Sequence, residues 1–184
     1  METLASERPL GERLAAKARS YDICAFAVLP DSPDHAMTVE DVLFGSGAPI
    51  LVVGGDDAPC HLRAVSVAWD GGRAASRALR DALPVLKRAE QIRLLTCSQD
   101  KAIDPESIDG ALAYLQSHNV TAEHVSFELG EDPVGEALQS TAVELGSGLL
   151  VMGGYGHSRV REFILGGATS VALRRPRLAV LMSH

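Results

Sequence analysis

The sequence predicts an α/β fold: an open parallel five-stranded sheet with helices on both faces, preceded by a partial degenerate repeat of the same fold. Two observations lead there. From Ala64 onward, strand-length apolar runs alternate with segments of helical spacing, and strands separated by helices of that length pair in parallel through right-handed crossovers. Before that point, residues 1–60 repeat part of the later pattern. The expected division is therefore a partial unit over 1–60 and a complete one over 62–184.

Residues 64–69 read as a buried strand, and residues 73–90 carry helical spacing through Ala74, Ala78, Leu79, Ala82, Leu86 and Ala89. Pro84 should kink that helix, because proline removes an amide donor and crowds the preceding turn. Residues 92–97 form the second strand, 105–118 a helix, and 121–127 the third strand. Residues 133–145 form a helix with Pro133 in its first turn, where the missing N–H is not needed. The fourth strand is 148–152. A helix beginning near Arg161 or Gly167 and ending at Leu173 leads into the fifth strand, 178–182.

The repeat is visible residue by residue. Gly11-Glu12-Arg13-Leu14 set against Gly135-Glu136-Ala137-Leu138 places Ala18 on Ala142 and residues 25–28 on 149–152; farther on, residues 50–53 correspond to 178–181. A half copy cannot close its own core, so its apolar strands must borrow a surface. Residues 50–53 and 178–182 would each present an unpaired edge if left alone, and should pair with each other or across a dyad. Residues 25–28 would still expose apolar surface, which a second copy is expected to cover as a homodimer. Gly45-Ser46-Gly47 suits a helix C-cap.

Composition excludes several classes of function. A chain of 184 residues, 46% hydrophobic, can bury a substantial core. Its apolar runs are strand-sized, well short of the ~20 residues that cross a bilayer. Residues 1–13 are polar and charged rather than a secretory signal, which predicts a cytoplasmic protein. Cys24, Cys60 and Cys97 are scattered and odd in number, unlike a disulfide framework or a metal knuckle. A net charge of −7 and 4% aromatic residues argue against nucleic acid as a partner. The local basic cluster Arg174-Arg175-Pro176-Arg177 sits at a helix end, where cations complement the dipole. The histidines are spread singly, without metal-ligand spacing.

The most informative stretch runs from Leu149 through Val151-Met152-Gly153-Gly154-Tyr155-Gly156-His157 to Leu165-Gly166-Gly167-Ala168-Thr169-Ser170. An apolar run that breaks into glycines and reaches a second glycine cluster describes a strand, a backbone-exposing loop and a helix start. Glycine lets the backbone approach a ligand, and the unpaired amides at a helix start favour an anion. The competing reading is that these glycines only turn a βα connection. Gly153, Gly156 and Gly166 have the spacing G-x2-G-x9-G, which resembles the nucleotide-binding signature of the universal stress protein family.

Residues 62–184 resemble a complete universal stress protein domain of Rossmann-like type, and 1–60 resemble the tail of the preceding domain in tandem members. In that tail, Leu29 and Ser32 stand where Gly153 and Gly156 stand, so one nucleotide site is expected. The resemblance implies ATP or a related adenine nucleotide as ligand and stress adaptation as the biological role. It implies phosphate contacts around Met152, Gly153, Tyr155 and Gly156, continuing at Gly166, Gly167, Ala168 and Thr169. It also implies Asp70 beside the adenine or ribose, Ala68 near the base, and Leu95 with Thr96 as part of the adenine wall. Antiparallel contact between final strands belongs to the same expectation. The chain departs from the family pattern at Gly167, where a Ser or Thr hydroxyl would meet the phosphates; Thr169 and Ser170 lie just beyond.

Residue chemistry alone gives Asp70 a second role, capping the helix that follows Gly71-Gly72. Catalysis is poorly supported. Arg159 and Arg161 are candidate phosphate partners, but no Walker lysine follows a glycine-rich turn and no paired acids for magnesium stand out. Two readings of function remain: a regulatory protein that binds adenine nucleotide with slow or absent turnover, and a dimeric scaffold of the same fold that binds none. The glycine spacing favours the first and Gly167 the second.

Overall fold

The computed structural model of the chain describes residues 9–28, 33–55, 58–98, 103–155 and 167–184. In order, these form α1 (Leu10–Ala18), β1 (Cys24–Ala27), α2 (Pro33–Ser46), β2 (Ile50–Val53), β3 (Ala64–Ala68), α3 (Arg73–Asp81) and α4 (Leu83–Leu86). There follow β4 (Gln91–Cys97), α5 (Pro105–Ser117), β5 (Glu123–Phe127), α6 (Val134–Glu144), β6 (Leu149–Gly153), α7 (Ala168–Arg174) and β7 (Ala179–Ser183). No described helix is long and apolar enough to cross a membrane.

The strands make one seven-stranded sheet in the order β1-β2-β7-β6-β3-β4-β5. From β7 to β5, neighbouring strands are parallel, as the strand–helix alternation predicts. The expectation of a five-stranded sheet is corrected by the other two. β1 and β2 are parallel to each other and join at β7, where Ile50 lies opposite Met182, Leu51 opposite Leu181 and Val52 opposite Val180 in antiparallel register. The physical reason is the edge: β7 and β2 would each leave a row of backbone donors and acceptors unpaired, and pairing satisfies both.

The orders α1-β1-α2-β2 and α6-β6-α7-β7 match, and each gives a parallel strand pair. Each of the glycines aligned in sequence faces the next helix along the chain. A Cβ on Gly11 would run into the Asp41 side chain of α2, and one on Gly135 would lie 2.7 Å from Ala168 Cα at the start of α7.

Side chains alternate across the central strands and feed two cores. Leu150, Met152, Val180 and Met182 face one, with Val39, Val42, Leu43, Ile50 and Val52 from the amino-terminal segment. Leu149, Val151 and Leu181 face the other, under α3 and α5, with Val65, Val67, Ala78 and Leu115. Burial on both faces explains why β6 and β7 read as continuous apolar runs. The first core draws on both sequence segments, so the two share an interior.

Gly47 follows α2 at φ +76°, the left-handed conformation of a C-cap. The helix expected over 73–90 is not kinked but interrupted: α3 ends before Ala82 and Pro84 falls in the first turn of α4, where its missing amide leaves no bond unmade.

Candidate functional site

The chain runs from β3 outward to β4 and β5, then returns to place β6 and β7 on the other side of β3. The connections after β3 and β6 therefore leave the sheet in opposite directions. In an open α/β sheet such a switch point opens a crevice at the carboxyl ends of the two strands, where ligands bind.

The β3 side of the crevice is a short turn. Asp70 Oδ1 accepts a hydrogen bond from the Gly72 amide at 2.7 Å, and Gly71 takes φ +72° to let the chain enter α3 at once. Aspartate is suited to this local bond because its short carboxylate reaches the amide two residues on. Trp69 Nε1 donates to Ser107 Oγ at 3.2 Å, which ties the turn to α5.

On the β6 side, Gly153 is dictated by close packing against a helix backbone, whereas Gly154 lies against the tip of a leucine side chain. A Cβ on Gly153 would lie 2.6 Å from the backbone of Ala74 and Ala75 in α3, and one on Gly154 2.7 Å from Leu43 Cδ2 in α2. Gly154 donates its amide to the Ser183 carbonyl at 2.7 Å. Tyr155 then takes φ +54°, a conformation costing a non-glycine residue about 1–2 kcal/mol. Three contacts hold it there. Its amide donates to Thr169 Oγ1 at 2.9 Å, its hydroxyl donates to Glu40 Oε1 at 2.6 Å, and its ring packs on Phe44 with centroids 5.0 Å apart.

Of the residues named from sequence, Ala68, Leu95, Met152, Tyr155 and Ala168 fall in one apolar cluster on one face of the sheet. Thr96 does not join them. Strand alternation sends it to the face of Leu94, where its hydroxyl bonds His124 Nε2 at 2.8 Å. The Leu95 and Thr96 side chains therefore point to opposite faces of the sheet. Asp70 and Gly167 are half-buried, whereas Thr169 is buried with its hydroxyl engaged by Tyr155. Gly156 and Gly166, with His157, Arg159 and Arg161, lie outside the described residues.

Cys97, which the period of two places beside Leu95, packs in the same cluster. Glu40, Phe44 and His184 carry no local signal in the sequence. Among the described residues, no group of three or more His, Cys, Asp or Glu side chains gathers to hold a metal ion.

No protein-family model and no curated protein matches the sequence significantly. Solved structures do. A universal stress protein from Archaeoglobus fulgidus is 19% identical with a TM-score of 0.73; the alignment covers 94% of this chain and 64% of that one, so this chain spans less than two thirds of its length. A universal stress protein in complex with cAMP is 25% identical with a TM-score of 0.53, over 66% of this chain and 96% of that one. A protein of unknown function from Pseudomonas aeruginosa PAO1 is 12% identical with a TM-score of 0.59, over 100% of this chain and 68% of the other. Together with the sheet order, these structures support the recognition of the family in the sequence: the chain has the universal stress protein fold.

Proposed function

We propose that the chain binds an adenine nucleotide, ATP or a close relative, in the crevice between the carboxyl ends of β3 and β6, and acts as a regulatory protein of stress adaptation rather than as an enzyme. The observation that carries this is the convergence of the Asp70 turn and the Gly153–Gly154–Tyr155 loop on the switch point. The cAMP complex of a similar universal stress protein supports the ligand class. Asp70 stands at the nucleoside end, and Ala68, Leu95 and Met152 supply apolar surface for the base. The amides of Gly154 and Tyr155 are engaged within the protein, so phosphate donors come from Gly156 onward and from Gly167 and Ala168.

The second reading, a dimeric scaffold without nucleotide, is favoured by those same engagements. Asp70, Thr169, Gly153 and Gly154 each have a structural role that needs no ligand. Self-association belongs to both readings: β1 lies at the end of the sheet with Ala25 and Ala27 exposed, next to the exposed Tyr21 and Ile23. Native mass spectrometry of the purified full chain with added ATP tests the two together. A dimer carrying nucleotide is expected; a ligand-free dimer would select the scaffold, and a ligand-free monomer would remove both.

Gly167→Ser isolates the departure at the phosphate end. Gly167 precedes α7 at φ −51°, which serine adopts without strain, and among the described residues no side chain caps that helix. A hydroxyl reaching a phosphate is worth about 1.5–3 kcal/mol, so titration calorimetry should show the variant binding ATP at least tenfold more tightly. Equal affinities would mean that no phosphate lies beside residue 167.

A further inference from the structure

The contacts on Tyr155 come from a helix that precedes it by more than a hundred residues. Glu40, Leu43 and Phe44 lie at i, i+3 and i+4 on α2, one face of one helix, and all three meet the Gly154–Tyr155 step. Glu40 accepts from the Tyr155 hydroxyl at 2.6 Å, Leu43 fills the space beside Gly154, and Phe44 stacks on the tyrosine ring. The Phe44 ring also meets His184 edge-on with centroids 4.7 Å apart, and His184 Nδ1 donates to the Gly154 carbonyl at 3.0 Å. The left-handed backbone of Tyr155 is thus fastened from three sides: by Thr169, by α2, and by the end of β7.

We propose that Glu40 is a positioning residue for the end of β6: α2 of the amino-terminal segment, through the Glu40–Tyr155 hydrogen bond, holds the Gly154–Tyr155 step in place and thereby sets the nucleotide affinity of the crevice. The affinity half of this rests on the nucleotide reading above; the positional half does not. A residue held at positive φ relaxes once its restraints go, and Tyr155 is the last residue before the glycine that begins the proposed phosphate contacts. Linkage makes the effect reciprocal, so nucleotide bound in the crevice should in turn protect α2.

The test compares the full chain with Glu40→Ala, Glu40→Gln, Tyr155→Phe and the double variant Glu40→Ala/Tyr155→Phe. Circular dichroism verifies the fold of each. Hydrogen exchange at the Tyr155 amide, read by NMR, needs no ligand. Removing either partner should speed exchange by about tenfold, the scale of one lost hydrogen bond; Glu40→Gln, which keeps an acceptor, should restore most of the protection, and the double variant should be no faster than either single. Unchanged exchange in folded Glu40→Ala or Tyr155→Phe overturns the proposal. Calorimetry with ATP is the second arm, and Kd should rise by about tenfold in the same two variants and recover in Glu40→Gln. Where wild type binds ATP and Glu40→Ala binds it equally well, the positioning role is overturned. Where wild type binds no ATP, the nucleotide reading fails and the exchange arm alone decides the clamp.

Discussion

A chain lacking residues 1–60 is expected to form a dimer through β7. In the full chain β7 is an interior strand, paired with β6 on one side and with β2 on the other. Deletion bares the backbone of Val180, Leu181 and Met182 along a whole edge and removes Val42, Leu43, Ile50 and Val52 from the first core. Each such side chain contributes about 1.5–3 kcal/mol when buried, so these four amount to roughly 6–12 kcal/mol, comparable to the net stability of a domain. The remaining part regains that surface by meeting a second copy. The lost contact is antiparallel, so the β7 edge can pair with its own copy about a dyad, as β2 now pairs with it. Light scattering should report a dimer; a soluble, strictly monomeric product at high concentration would contradict the account of β1 and β2 as an intramolecular substitute for a partner.

Gly153→Ala should be the more damaging of two glycine-to-alanine changes, and for a reason unrelated to phosphate. The added methyl would sit 2.6 Å from backbone atoms of Ala74 and Ala75, and a helix backbone cannot swing aside as a side-chain tip can. Either α3 lifts from β6 or the strand end shifts. Overpacking of this kind costs about 1–3 kcal/mol or more, which lowers the thermal midpoint by several degrees, about 2–4 °C per kcal/mol for a chain of this size. Gly110→Ala should have the opposite sign. Gly110 lies inside α5, and an alanine methyl there would meet nothing within 4 Å among the described residues, so the substitution gains about 0.5–1 kcal/mol of helix propensity. Scanning calorimetry of the two variants checks both. A midpoint for Gly153→Ala equal to wild type would mean that α3 does not approach β6 as closely as described. The expectation also limits what Gly153 can reveal about ligands, since a variant that disturbs α3 disturbs the crevice as well.

Much of the fold was legible in the chain itself. The alternation of apolar strands with amphipathic helices set the parallel sheet, because a strand buried on both faces must be apolar throughout and a helix of that length returns the chain to the same edge. The C-cap at Gly47 was legible as well, since glycine adopts a left-handed turn without steric cost. So was the need of residues 50–53 for a partner edge, met by β7.

What tertiary structure alone decided lies in contacts between distant parts of the chain. Leu95 and Thr96 are neighbours in the sequence, but strand alternation sends the Thr96 side chain to His124 and brings Cys97 beside Leu95. Gly153 carries a motif in the sequence, but only the approach of α3 reveals that it is also required by packing. Glu40 and Tyr155 are 115 residues apart, and neither periodicity nor spacing links them. Local patterns determined which segments became strands and helices, because those depend on neighbours in the chain; which face met which, and which side chain held the loop, depended on how the sheet closed around β7.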